Sequence, residues 1–87
     1  MTQPLATAED VRRIVLEALG DIAPDADLAH LDPKADLREA TDIDSMDFLN
    51  LVSALHRRLG VVVPEADYPQ LATLAGMEAY LMARARP

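Results

Sequence analysis

Apolar side chains recur at helical spacing in three separate stretches of this chain. Val11, Ile14, Val15, Ala18 and Leu19 stand at i, i+3, i+4, i+7 and i+8, the signature of one inward stripe on an amphipathic helix. A second stripe, within a helix over residues 45–59, is Leu49, Val52, Leu55 and Leu59, flanked by Phe48 and Leu51. A third begins near Thr73 and turns Leu74, Met77, Tyr80 and Leu81 inward. One β-branched run exists, Val61 to Val63, but there is no second run to pair with it, and Pro64 stops it. It reads as an extended connector laid on the core. Isolated helices this short are marginal in water, so the three must share a single core.

The punctuation agrees. Thr7 is an N-cap, followed by Glu9 and Asp10 in the first turn, where the helix dipole favours acids. Gly20 is expected at C′ of that helix, and Gly60 at the end of the second. Asp44 or Ser45 caps the second helix. A very short helix is expected over Glu65 to Tyr68, limited by Pro69. Gly76 lies early in the last helix and weakens it, and the closing "RARP" suits a helix C-terminus. Between the first two main helices runs a long acidic connection, Asp21 to Asp44, with Pro24 and Pro33. A loop this long in so small a domain has to pack, and Leu28, Leu31, Leu37 and Ile43 are its anchors. The expected fold is all-α: a four-helix bundle of three main helices and one short third helix, in a single domain over residues 1–87.

The chain's 87 residues suffice for one core and bury roughly 60–65% of the unfolded surface, too little to wall a deep enzyme cleft. The composition is 51% apolar but only 3% aromatic, so Leu, Val, Ile, Ala and Met must fill the core. A net charge of −7 opposes binding to nucleic acid, whose phosphates need Lys and Arg clusters, and to anionic membrane surfaces. It suits encounter with basic partners. With no cysteine, thiolate chemistry and disulfides are excluded. The start "MTQPLATAED" has neither the basic nor the apolar region of a signal peptide, and no apolar run approaches about 18 residues. A cytoplasmic monomer without a membrane span is expected.

Catalytic and metal patterns fail on inspection. A nucleophile elbow reads G-x-S-x-G, whereas this frame is "IDSMD". His56 lies eleven residues along the same helix as Ser45 and cannot fold back onto it; His30 and His56 read as surface histidines. The stretch Asp25 to Asp36 has acids at positions 1, 3 and 12 of an EF-hand loop. Yet Ala29, His30 and Pro33 stand where a ligand, the turn glycine and another ligand belong. No metal site is expected.

That leaves "TDIDSMDFLNLV", Thr41 to Val52. Ser45 stands among Asp42, Asp44 and Asp47, directly before an apolar helical run. A lone serine here is usually a cap, but Asp44 and Asp47 can already cap this helix, so Ser45 is surplus for that purpose and exposed. Unpaired N–H groups at a helix start favour a phosphate. The acids oppose a free one, tolerate one held covalently, and attract a basic enzyme that attaches it.

"DIDSMDFLNLVSALHRRLGVVVP" resembles the core of the acyl carrier protein family. There an Asp-Ser-Leu/Met-Asp motif opens the second helix, and an apolar helical run, a glycine, an apolar triplet and a proline follow. Asp44 and Ser45 form the only Asp-Ser pair, and the likeness covers nearly the whole chain. The resemblance implies that Ser45 bears 4′-phosphopantetheine, attached from coenzyme A by a phosphopantetheinyl transferase. The thiol of that arm would carry an acyl group as a thioester between acyl-loading and acyl-consuming enzymes, in fatty-acid, lipid or polyketide-type biosynthesis. The chain itself would not be an enzyme. Asp44, Met46 and Asp47 would meet partners beside the serine.

Departures from the family pattern point to a specialised carrier. Carriers of the fatty-acid type stay acidic along the second helix, where this chain has "HRR", His56 to Arg58. Asn50 and Ser53 are uncharged, so Asn50 and Arg57 would change what partners read. The glycine often found two or three residues before the serine is replaced by Asp42 and Ile43. Two alternatives remain: a free-standing aminoacyl or peptidyl carrier, and an unmodified acidic helical interaction module.

Overall fold

The computed structural model describes residues 7–84; most of the start read for a leader, and all but Arg84 of the basic "RARP" end, lie outside that range. Four α-helices run in the order α1 (Ala8–Ile22), α2 (Leu37–Thr41), α3 (Ser45–Leu59) and α4 (Leu74–Arg84). A 3-10 turn, Leu28–His30, lies between α1 and α2, and a 3-10 helix, Glu65–Leu71, between α3 and α4. The all-α class and the three main helices stand as the apolar spacing required, with the 3-10 helix in the place of the short third helix.

The core is one cluster drawn from every main helix. Val11, Val15 and Leu19 of α1, Leu51 and Leu55 of α3, and Met77 and Leu81 of α4 are fully buried. Each buried leucine adds roughly 1.5–3 kcal/mol of hydrophobic stabilisation. Val61 and Val63 are buried while Val62 is 67% exposed, so the valine run is the extended, core-packed connector expected. Of the loop anchors, Leu37 and Ile43 are buried, and Leu28 and Leu31 pack half-buried on the cluster.

The caps are made by the residues that the sequence offered. Thr7 and Asp10 form a reciprocal capping box at α1, as Asp44 and Asp47 do at α3. Gly60 closes α3 in the left-handed conformation at φ 71°, where glycine is strain-free.

Four expectations are corrected. Gly20 does not end α1, which continues to Ile22 with Ala23 at the cap. The stop is Pro24, which disfavours helical backbone in the residue before it, and Ala23 sits at φ −127°, ψ 69°. Pro69 does not limit the short helix but lies inside it; its φ, fixed at about −65°, suits 3-10 backbone, at the loss of one i→i−3 bond. The acidic connection contains a helix, α2, capped by Asp36, whose Oδ1 accepts the N–H groups of Arg38 and Glu39 at 3.0 and 3.1 Å. Leu49 faces outward, 41% exposed, because the buried side of α3 is Phe48, Leu51, Val52 and Leu55.

Two tertiary bonds fix the connection in place. The Leu37 N–H donates to Ala72 O at 2.7 Å, and the Ala75 N–H to Pro33 O at 2.9 Å, tying α2 to the start of α4. Gly76 is required rather than merely tolerated, since a Cβ there would lie 2.6 Å from Gln70 O.

Candidate functional site at the start of helix α3

The serine is placed by the turn that precedes it. α2 ends at Asp42, the one non-glycine residue with positive φ (56°) among the described residues. Aspartate tolerates this region better than most side chains, so Asp42 can turn the chain here without a glycine. The Ile43 N–H then donates to Arg38 O at 3.2 Å, and buried Ile43 pins the turn to the core. The chain is left extended at Asp44, which caps α3: its Oδ1 accepts the Asp47 N–H at 2.8 Å, and Asp47 Oδ2 accepts the Asp44 N–H at 3.4 Å.

With both cap positions filled by acids, Ser45 has no capping duty. It is exposed, as the first residue of α3. Its Oγ accepts a hydrogen bond from Arg38 Nη2 at 2.8 Å. This arginine was missed in reading the sequence as a site residue. The available signals were its being one of two cations in a long acidic stretch, and the Asp36-x-x-Glu39 spacing that announces a short helix carrying it.

Beside the serine lies a cavity of about 460 Å³. Phe48, Leu49, Tyr68, Pro69 and Ala72 form its apolar wall; Asp36, Arg38, Glu65 and Ser45 form the polar part of its lining. Phe48 meets Tyr68 edge-on, with ring centroids 5.6 Å apart, so the one phenylalanine is a wall of the cavity. The 3-10 helix that supplies Tyr68 is held to α4 by Tyr80, whose hydroxyl donates to Asp67 Oδ2 at 2.7 Å, while the Arg84 guanidinium lies 3.8 Å from the Tyr80 ring centre.

The structure gathers Asp44, Ser45, Met46 and Asp47 at one helix end. Met46 is 66% exposed and Asp47 is half-buried. Asn50 is exposed further along α3. Arg57 is twelve residues from Ser45, roughly 18 Å along the helix, and belongs to a separate part of the same surface. Among the described residues no cluster of three metal-ligating side chains occurs, and no helix is long and apolar enough to cross a membrane.

Comparison with known proteins gives this geometry its meaning. Residues 9–81 match the family described as "Phosphopantetheine attachment site". An acyl carrier protein of Campylobacter hominis is 33% identical over 73 residues, 84% of this chain and 86% of that one. This chain belongs to the acyl carrier protein family. Members of the family are carriers rather than catalysts, and carry 4′-phosphopantetheine covalently. As a carrier, the chain interacts with modifying and acyl-handling enzymes. The surroundings of Ser45 fit such a group: an exposed hydroxyl to bond it, a guanidinium on that oxygen to meet the phosphate, and an apolar groove alongside.

Proposed function

We propose that Ser45 is the attachment residue and that residues 1–87 work as one monomeric, cytoplasmic carrier domain. The observation that carries this reading is the Ser45 hydroxyl, exposed at the start of α3 and bonded to Arg38 Nη2, within a chain that matches the attachment-site family over residues 9–81. When attached, the arm supplies a terminal thiol that holds the load as a thioester.

The residues of this chain supply presentation. Asp44 and Asp47 place carboxylates beside the serine, where they draw in the basic face of a phosphopantetheinyl transferase. Met46 offers an uncovered apolar contact between them. Farther along α3, Asn50, Ser53, His56 and Arg57 are exposed, and Arg57 has no ion pair among the described residues. An enzyme that reads a continuously acidic helix therefore meets neutral and then cationic side chains. This supports service in a specialised acyl pathway of lipid or polyketide type rather than in housekeeping chain elongation.

Intact mass tests the attachment. The wild type is incubated with coenzyme A, magnesium and a broad-specificity phosphopantetheinyl transferase, with Ser45→Ala as control. A gain of one phosphopantetheine on the wild type alone is expected. A folded wild type that gains nothing, with its cognate transferase as well, overturns the assignment.

A further inference from the structure

We propose that Arg38 is the binding residue for the phosphodiester of the attached arm, and that it holds the arm's first segment at the mouth of the Phe48–Tyr68 cavity. This rests on the assignment of Ser45 as the attachment residue.

Arg38 sits in strongly acidic sequence, yet it makes no ion pair among the described residues. Its contact is the neutral Ser45 Oγ. Three acids around it are engaged elsewhere: Asp36 accepts two backbone N–H groups of α2, and Asp44 and Asp47 cap α3. A guanidinium has five N–H donors in a fixed fork suited to phosphate oxygens, and one of them is used here. A phosphodiester on Ser45 brings a negative charge next to Asp42, Asp44 and Asp47. Arg38 is the cation already at the bonding oxygen to offset it.

The frame that aims Arg38 is stiff. Leu37, its neighbour, is fully buried and bonded through its N–H to Ala72 O. Thr41 Oγ1 closes α2 onto Leu37 O at 2.6 Å. The direction follows from two cavities beside the turn. Arg38 and Ser45 both line the apolar one, with Phe48, Leu49 and Tyr68. Neither lines the second cavity, on the side of Asp27, Asp42 and Asp47. A phosphate held by Arg38 therefore starts the arm beside the aromatic pair, on the side of Asp36 and Glu65 and away from Asp42 and Asp47.

The test uses fully converted wild type, Arg38→Gln and Arg38→Lys. Mass spectrometry first confirms one arm on each, so failure of the Ser45 assignment shows at that stage, separately from the role of Arg38. Because Arg38 is exposed, Arg38→Gln keeps the fold, which the amide spectrum checks. Three spectroscopic readings then follow. On wild-type attachment, the Arg38 side-chain ¹H–¹⁵N signals shift, and the ³¹P signal differs from that of the same protein unfolded in urea. The geminal methyls of the arm also show contacts to the Phe48 and Tyr68 ring protons. In Arg38→Gln the ³¹P signal moves to the unfolded position and the ring contacts are lost; Arg38→Lys retains part of both. In 1 M salt, with a screening length of about 3 Å, the wild-type ³¹P difference shrinks. A converted Arg38→Gln protein whose ³¹P signal and ring contacts superpose on the wild type overturns the proposal.

Discussion

At its N-terminal end α3 carries Asp44, Ser45, Met46 and Asp47; at its C-terminal end it carries His56, Arg57 and Arg58. Both ends follow the helix dipole, with acids first and bases last. They differ in what is left over once local structure is satisfied. At the last turn Arg58 is tied to Glu17 of α1 at 2.6 Å, and Gly60 closes the helix, which leaves His56 and Arg57 without an ion pair among the described residues. At the first turn Asp44 and Asp47 are used by the cap, and the leftover groups are the Ser45 hydroxyl and the Met46 side chain. On the reading proposed above, the leftover oxygen beside a cavity is where others do chemistry, and the leftover cation on an open helix face is a label for partners.

The largest expected effect lies at the first turn. Ser45→Ala removes all phosphopantetheine uptake in the mass assay and with it all carrier function. Its unfolding free energy changes by less than about 0.5 kcal/mol, the usual range for a surface change that spares a cap, because Asp44 holds the Asp47 N–H. Urea denaturation beside the mass assay checks both halves. A Ser45→Ala protein that still carries acyl groups erases the distinction between the two ends.

The second effect lies at the other end. Arg57→Glu extends the acidic character of α3 and is expected to raise loading, by roughly tenfold in rate, by an acyl-transfer enzyme whose docking face is basic. The gain falls at high salt, as surface steering does. The melting temperature falls only slightly, since Arg57 has no ion pair to lose among the described residues and gives up only its place at the negative end of the helix dipole. An unchanged loading rate means that the last turn is not read.

Asp44→Ala comes third, a smaller change that joins structure and function. It removes the acceptor for the Asp47 N–H and costs about 0.5–2 kcal/mol, visible as a lower urea midpoint at unchanged slope. It also slows attachment by the transferase, since a carboxylate beside the serine is lost. A full-rate Asp44→Ala protein makes this acid a cap alone.

How much of this was legible in the sequence differs between the two kinds of feature. The three stripes and the caps Thr7, Asp44 and Gly60 follow from local chemistry repeated at the helical period, and the structure keeps them. Ser45 was singled out by the resemblance of its Asp-Ser-Met-Asp frame together with acids able to take over its capping duty, and the structure leaves it exposed and outside the cap. Contacts across the chain hid the rest. α2 is too short for a stripe, and the Leu37–Ala72 and Pro33–Ala75 bonds hold it. Arg38 reaches Ser45 only because Asp42 turns left-handed between them. Leu49 was misplaced because a stripe of leucines and valines fits two adjacent helical faces, and packing against α1, with Phe48 against Tyr68, chose the one with Phe48. Gly76 looked like a weakness, since nothing local announces that Gln70 O lies against it.

The smallest expected effect concerns the pairing that holds the last turn. Arg58, bonded to Glu17, lowers the Glu17 carboxyl below its ordinary range against an opposing desolvation, with Arg13 adding a weaker pull. The sign follows from proton counting. In acid the unfolded chain binds this proton more readily than the folded one, so the pair's contribution is complete above the ordinary glutamate value of about 4.3. It fades as pH falls through the lower folded value. Urea denaturation of wild type and Glu17→Gln at pH steps from about 7 to about 3 should show a small wild-type advantage that closes toward the acid end. Both side chains are substantially exposed, so the gap is smaller than that of the Asp44 cap and narrows in salt. A gap that stays constant with pH would mean that Glu17 supports α1 through packing, and that Arg58 is as free as Arg57 to face a partner.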